Sequence, residues 1–262
     1  MKLGWLDRIG SSLLSFFVGV TLFFIYIPIC VLIVFSFNRL AFPYRWTGFS
    51  WHWYGELFRS PEIWLAFQNS LIVAAAATIL SLAMGLLFLF YGARTKLRLL
   101  LPIFYTNLVI PEIIIAVGLL SLFTFLGAPR GLITLIVAHT LIGLSFTIPI
   151  LVARFQELER NVIEASLDLG ATLNQTFFKI IVPLMRPALI AAGLLVFIIS
   201  FDDYIIAFFC TSSTVQTLPL FIFAMIRTGV SPVVNALSTL LLLGSALVVI
   251  TIALAQWGRR IF

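Results

Sequence analysis

The chain has 262 residues, of which 62% are hydrophobic and only 10% are charged. Soluble domains usually carry roughly 45–50% apolar and 25% charged residues, so this composition excludes an ordinary water-soluble enzyme, and the high hydrophobicity excludes a disordered chain. The net charge of +6 fits a membrane protein, in which an excess of Lys and Arg usually reflects topology rather than nucleic-acid binding.

Six long apolar segments predict membrane-spanning helices, since such a helix needs about 20 mainly apolar residues. In chain order the predicted spans are 12–36, 65–91, 99–125, 132–153, 187–209 and 232–256. The first is longer than the ~7–15 apolar residues of a signal peptide, so we expect it to be retained. The prediction is an all-α polytopic protein with six transmembrane helices in a single membrane domain over residues 1–262.

The basic residues predict the orientation of these helices. With the N-terminus in the cytoplasm, only five of the 16 Lys and Arg residues lie on the outer side, namely Arg39, Arg45, Arg59, Arg130 and Arg227. The other eleven lie on the cytoplasmic side, where Lys and Arg concentrate in membrane proteins. We therefore expect both termini to be cytoplasmic.

A polar loop over residues 154–186 separates the fourth and fifth spans on the predicted cytoplasmic side. Its capping pattern predicts a first helix over 162–169 that ends at Gly170, and a second helix over about 173–182 that stops at Pro183. A DNA-binding helix-turn-helix is disfavoured because the segment is neutral and tethered to the membrane. Two interpretations remain: a docking element for a cytoplasmic partner, or a loop on the membrane surface.

This loop carries a specific resemblance. It contains Glu164-Ala165-Ser166-x3-Gly170, followed after nine residues by Ile180-x-Val182-Pro183. The pattern resembles the EAA motif of ABC-importer permeases, E-A-A-x3-G-x9-I-x-L-P, and departs from it at Ser166 and Val182. The resemblance implies the type I ABC-importer (MetI-like) permease fold. It also implies that a short helix couples the membrane helices to a separate ATPase through Glu164, Ala165, Ser166, Asp168, Gly170 and Pro183.

Further motifs resemble the spermidine/putrescine permeases, most closely their second, C-type subunit. They are Ser200-Phe201-Asp202-Asp203, Thr217-Leu218-Pro219-Leu220 and Gly229-Val230-Ser231-Pro232-x-x-Asn235-Ala236-Leu237. The resemblance implies a polyamine importer in the bacterial inner membrane. It implies four kinds of partner: the lipid bilayer, a second homologous permease, two copies of an ABC ATPase, and an extracytoplasmic substrate-binding protein.

Polar residues within the predicted spans are candidates for the substrate path. They are Glu112 in the third span, His139 in the fourth, and Asp202, Asp203 and Tyr204 in the outer half of the fifth. A carboxylate at bilayer depth is costly unless it faces protein or water, so it is a functional hypothesis by default. Carboxylates and aromatic rings suit a flexible polycation through ion pairs and cation–π contacts. The alternatives are a Glu112 paired with a partner subunit, aspartates that touch water at a helix end, and a neutral His139 beside a hydroxyl group.

Two kinds of chemical motif are missing from the sequence. No G-x-x-x-x-G-K-[ST] phosphate loop occurs, so another polypeptide must supply any ATP hydrolysis, and no Cys/His spacing typical of a metal site occurs. We expect neither catalytic residues nor a cofactor in this chain. The alternative functions are an ABC permease for another small substrate, an ion-driven secondary transporter, and a scaffold subunit without a path. Secondary transporters often contain inverted repeats, and the sequence has none that we can detect.

Overall fold

The computed structural model describes residues 5–40, 45–92, 99–212, 214–229 and 232–261. These residues are almost entirely helical, which confirms the predicted all-α class. The helices are α1 (Trp5–Phe35), α2 (His52–Arg59), α3 (Pro61–Gly92), α4 (Leu101–Asn107), α5 (Glu112–Phe125), α6 (Leu132–Gln156), α7 (Arg160–Asp168), α8 (Leu173–Thr176), α9 (Val182–Leu184), α10 (Arg186–Asp202), α11 (Ile205–Cys210), α12 (Leu218–Thr228) and α13 (Pro232–Ile261). A π-helical turn, Phe177–Ile181, joins α8 to α9.

Several of these helices have the length and apolarity of membrane spans. Among the described residues, α3, α6 and the Leu13–Phe35 part of α1 are each long enough to cross a bilayer. Two helix pairs are apolar enough to be a broken span or a re-entrant loop: α4 meets α5 at 114°, and the helical run Leu173–Leu184 meets α10 at 67°. Helix α13 has 30 residues, which at about 1.5 Å per residue exceeds the ~30 Å of a hydrocarbon core.

The prediction of one continuous helix over 99–125 is wrong. Helix α4 ends at Asn107, and α5 begins only at Glu112. Pro111 lies between them with an extended backbone, φ −55° and ψ 130°. Proline has no N–H to donate and disfavours a helical conformation in the residue before it, so a break forms in an otherwise apolar segment.

The predicted fifth span, 187–209, is also interrupted. Helix α10 ends at Asp202, Asp203 is extended with ψ 127°, and α11 starts at Ile205. Helix α12 follows, in a region where the sequence analysis placed no helix. The 11 residues of α12 are too few to give the hydropathy signal of a full span.

The chain forms two compact units, Met1–Pro61 with Ile222–Phe262, and Glu62–Phe221. In the first, the link between α1 and α2 folds around the buried Asn38. The Asn38 side chain accepts the Thr47 N–H at 2.9 Å and donates to the Arg45 carbonyl at 3.0 Å. Its backbone carbonyl accepts the Trp53 indole N–H at 2.6 Å. The described residues of the predicted first external loop are therefore joined by side-chain hydrogen bonds, and α2 and α1 both contact α13.

The second unit is organised around α6, which contacts α4, α10 and α11. Its Leu135 and Ala138 are fully buried against Ile206 and Ala207 of α11. Gly143 allows a close approach, since a Cβ atom there would lie 2.8 Å from the Val196 side chain and closer still to Ser81. Small residues at such crossings are typical of helices that pack inside a membrane. This packing brings the two broken helices to the same part of α6.

Candidate coupling segment and intramembrane acidic site

The predicted coupling segment forms a helix, a glycine turn and a second helix. Helix α7 ends at Asp168, and Gly170 follows with a φ of +86°, in the left-handed region that favours glycine. The Ala171 N–H donates to the Ser166 carbonyl, and the Gly170 N–H to the Leu167 carbonyl, so the turn satisfies the end of the helix. Thr172 and Gln175 then cap the next helix reciprocally, with the Gln175 side chain accepting the Thr172 N–H at 2.9 Å.

The second helix of the segment does not stop at Pro183, and that prediction is wrong. The helical run passes through the π-helical turn and continues through Pro183 to Leu184, before the bend at Met185. Proline is tolerated in the first turn of a helix, and the wider turn at Phe177–Ile181 precedes Pro183 directly. The buried Met185 fixes the bend within an apolar cluster.

The side chains of α7 divide into a buried and an exposed face. Ser166 is buried, and its hydroxyl lies 2.8 Å from that of the buried Thr176, so one hydrogen bond joins α7 to the next helix. The other candidate coupling residues of the first helix and turn are exposed, namely Glu164, Ala165, Asp168 and Gly170, and Pro183 is half-buried. Leu169, which the sequence analysis did not single out, is 89% exposed at the tip of the turn. In the sequence, the signal that could have identified it is an apolar residue between Asp168 and Gly170, directly before the glycine of the turn.

Three of the five candidate path residues meet where α5, α6, α10 and α11 converge. Glu112, His139 and Asp203 line one small cavity together with Ser200. His139 Nδ1 lies 3.0 Å from the Ser200 hydroxyl, and His139 Nε2 lies 3.5 Å from Asp203 Oδ2. Ser200 is part of the motif that the sequence analysis quoted, but it was not recognised as a partner of His139, which is 61 residues away.

The two adjacent aspartates have different environments. Asp203 is buried, and its carboxylate accepts the Ile206 N–H at 3.3 Å and the Ala207 N–H at 2.9 Å, which caps α11. Asp202, the last residue of α10, is exposed. Tyr204 is half-buried and its ring lies 5.7 Å from that of Phe208. Neither Asp202 nor Tyr204 lines the cavity that the other three candidates share.

Glu112 is the exposed acid among the residues that line this cavity. It is the first residue of α5 and is exposed, and its carboxyl group interacts with that of Asp203. A carboxylate in the first turn of a helix is stabilised by the helix dipole. Among the described residues, no group of three or more His, Cys, Asp or Glu residues could hold a metal ion, and Cys30 and Cys210 are free thiols.

Comparison with known proteins identifies the family. Residues 77–262 match the model of the binding-protein-dependent transport system inner membrane component. The putrescine transport system permease protein PotI of Escherichia coli (strain K12) is 36% identical over 229 residues, covering 84% of this chain and 82% of PotI. The spermidine/putrescine transport system permease protein PotC of the same strain is 35% identical over 245 residues, covering 92% of this chain and 93% of PotC.

Solved structures with the same fold come from bacterial importers. A chain of a bacterial ABC transporter involved in the import of the acidic polysaccharide alginate superposes with a TM-score of 0.75 at 17% identity, covering 97% of this chain and 98% of its own length. A chain of the alginate transporter in complex with an alginate pentasaccharide-bound periplasmic protein gives a TM-score of 0.70 at 16% identity, covering 95% of both chains. The chain belongs to the family of inner membrane components of binding-protein-dependent transport systems, the multi-pass permeases of ABC importers.

Proposed function

We propose that this chain is a permease subunit of an importer for polyamines such as spermidine or putrescine. The observation that carries the proposal is the 35–36% identity, over most of both chains, to permeases named for putrescine and for spermidine/putrescine transport. A solved importer for an acidic polysaccharide shares the fold, so the fold alone does not decide between a cationic and an anionic substrate.

The chemistry of the acidic site favours a cation. Glu112 and Asp202 are exposed carboxylates in a chain that has only 10% charged residues. Both lie at ends of broken helices, which is where membrane transporters commonly build their binding sites. Ammonium groups bind carboxylates through charge-assisted hydrogen bonds, which are about twice as strong as neutral ones.

In this proposal the chain works with other subunits. A second homologous permease completes the path, two copies of an ABC ATPase bind the cytoplasmic face, and an extracytoplasmic binding protein delivers substrate. The exposed surface of α7, with Glu164 and Asp168, and the adjoining Leu169 supply the contact with the ATPase. ATP binding moves this helix and opens the permease pair outward, and hydrolysis resets it inward. Both termini lie in the cytoplasm in this arrangement.

Reconstitution of the complete transporter tests the proposal. The chain, its second permease, the ATPase and the binding protein are incorporated into liposomes, and uptake of labelled spermidine and putrescine is measured with and without internal ATP. We expect uptake that requires both ATP and the binding protein. ATP-dependent uptake of another solute with no polyamine uptake would establish an importer for a different small substrate.

A second arm tests the energy source. The chain alone is reconstituted and given a proton or sodium gradient but no ATP. Accumulation under these conditions would contradict the proposal and support an ion-driven secondary transporter. If the complex assembles and substitutions at both Glu112 and Asp202 leave uptake unchanged, the chain would instead fit a scaffold subunit.

A further inference from the structure

The buried polar groups of the site contact one another across three helical elements, rather than pointing into open space. Ser200 of α10, His139 of α6 and Asp203 at the break form a chain of contacts, which we call the relay. Each of the three side chains is buried. We propose that His139 is a positioning residue: through the relay it holds Asp203 at the cap of α11, and so keeps α10 and α11 apart with Asp202 projecting outside. This inference rests on the proposed function only in taking the exposed acid to be part of the path.

The contacts of His139 define which of its nitrogens carries the proton. Nε2 has no hydrogen-bond partner and lies 3.5 Å from Oδ2 of Asp203, which is an ion-pair distance. We assign the proton to Nε2, because a lone pair there would be repelled by a charged Asp203 carboxylate. Nδ1 then accepts the hydrogen bond that the Ser200 hydroxyl donates at 3.0 Å. The imidazole thus links Ser200 of α10 to Asp203, the residue directly after this helix, and so orients the Asp203 side chain.

The size of the site argues against substrate as the occupant of the relay. The cavity between Glu112, His139, Ser200 and Asp203 has room for no more than about one water-sized group. An ammonium group with its methylene chain needs more space than this. The Asp203 carboxylate also accepts two backbone N–H groups of α11. Of the paired aspartates, Asp202 is the one left for a cation to reach.

The break between α10 and α11 lies at Asp203, the residue that the relay contacts. The residues on both sides, Ile198–Phe201 and Ile205–Phe208, are apolar or small, and no proline or glycine separates them. Proline and glycine are therefore not the cause of the break. Asp203 caps α11 in place of the helical hydrogen bonds that are lost there, and the contact with His139 bears on the side chain that makes this cap.

Three substitutions at His139 separate its two contacts. The amide of Gln places an N–H donor near the position of Nε2, so His139→Gln keeps the contact with Asp203 and loses that with Ser200. The shorter amide of Asn lies near the position of Nδ1, so His139→Asn keeps the contact with Ser200 and loses that with Asp203. His139→Leu loses both contacts. The proposal predicts that Gln preserves the position of Asp202, whereas Asn and Leu do not.

The test measures the accessibility of position 202 in the assembled transporter. In a Cys30→Ser, Cys210→Ala background, Asp202→Cys is modified with a cationic thiol reagent, and the reaction rate is compared among the His139 variants. We expect position 202 to react in the His139→Gln variant at the same rate as in the protein that keeps His139. In the His139→Asn and His139→Leu variants we expect this rate to change by about tenfold or more. Arg130→Cys, exposed in the loop between α5 and α6, is the control for general access and folding. This readout needs no substrate, so it stands even if the transported solute is not a polyamine.

The uptake assay supplies the second readout, with Asp202 left intact. We expect His139→Gln to retain most of the transport rate and His139→Asn to lose it. If Leu prevents assembly, the comparison of Gln with Asn still decides, because both keep a polar amide of similar bulk. Two results would overturn the role of the Asp203 contact. One is an equal modification rate in the His139→Gln and His139→Asn variants, and the other is an unchanged modification rate in His139→Asn with a changed rate in His139→Gln.

Discussion

Gly170 contributes a backbone conformation rather than a side chain. Its φ of +86° lies where an L side chain costs roughly 1–2 kcal/mol, and the space around its Cα is open. Asn tolerates this conformation better than other residues, whereas Val, with its branched Cβ, tolerates it poorly. We expect Gly170→Val to abolish ATP-driven uptake while the protein still reaches the membrane, and Gly170→Asn to retain much of it.

The measurement for Gly170 is uptake normalised to the amount of permease in the membrane, together with co-purification of the ATPase. Open space around the residue means that steric clash within this chain cannot explain a difference between Val and Asn, and co-purification of the ATPase reports on any clash with that subunit. Normal uptake in Gly170→Val would refute a role for the turn in coupling.

Among the candidate path residues, Glu112 and Asp202 are the acids that are exposed and so accessible to a cation. Neutralisation by Glu112→Gln or Asp202→Asn keeps the shape of each side chain and removes one charge. Loss of a hydrogen bond to a charged group costs about 1.5–3 kcal/mol, so we expect the KM for polyamine uptake to rise by about tenfold or more for the residue that contacts substrate most directly. The two effects should be unequal, because the residues lie on different helices.

Kinetics of uptake at varied substrate concentration measure these effects. Glu56→Gln is the matched control, since Glu56 is an exposed acid of α2 that pairs with His52 outside the acidic site. If both path variants and the control have the parental KM, the acidic path is wrong.

At the scale of elements, the hydroxyl pair Ser166–Thr176 joins the two helices of the coupling segment. The Ser166 hydroxyl also donates to the Ile163 carbonyl at 2.9 Å, so Thr176 is the donor in this pair. Removing Ser166 leaves the buried Thr176 hydroxyl unsatisfied, which costs about 1–3 kcal/mol, whereas replacing both residues by apolar groups of similar shape is nearly neutral. We expect Ser166→Ala to weaken coupling and stability. The double variant Ser166→Ala, Thr176→Val should recover both.

The ratio of substrate transported to ATP hydrolysed, and the thermal unfolding midpoint of the detergent-solubilised complex, report on this pair. If the double variant loses more coupling or thermal stability than the two single variants together, the hydroxyl groups act in some other way.

The coupling segment was predictable in outline because its determinants are local. The glycine turn, the Thr172 cap and the spacing of the motif are all read within about 20 residues of sequence. The continuation through Pro183 was not predicted, because a π-helical turn lies just before the proline. That turn is held by contacts of Phe177 with Phe90, at 4.7 Å between ring centroids, and α3 is distant in sequence.

At the scale of the whole molecule, the distribution of basic residues predicts the topology. Both termini and the coupling segment are expected in the cytoplasm, and the loop between α5 and α6 is expected outside. Single cysteines at Arg130→Cys and Arg154→Cys, in the Cys30→Ser, Cys210→Ala background, are matched probes of the two sides.

An impermeant maleimide should label Arg130→Cys in intact cells and Arg154→Cys only after the membrane is opened. The reverse pattern would place the coupling segment outside, where no ATPase could reach it, and would contradict the proposed function. Labelling of both positions in intact cells would exclude the predicted span between them.

The sequence by itself determined the membrane class, the helical fold, the permease family and the coupling motif. Composition and hydropathy are sums over residues, and the motif is a short spacing, so none of them depends on contacts between distant parts of the chain. Only the tertiary structure decided which carboxylate is exposed and which is buried, because Asp203 lies beside His139, which is distant in sequence and contacts Ser200 across 61 residues. Adjacent aspartates look equivalent in a sequence, and the packing of α6 against α10 and α11 is what makes them different.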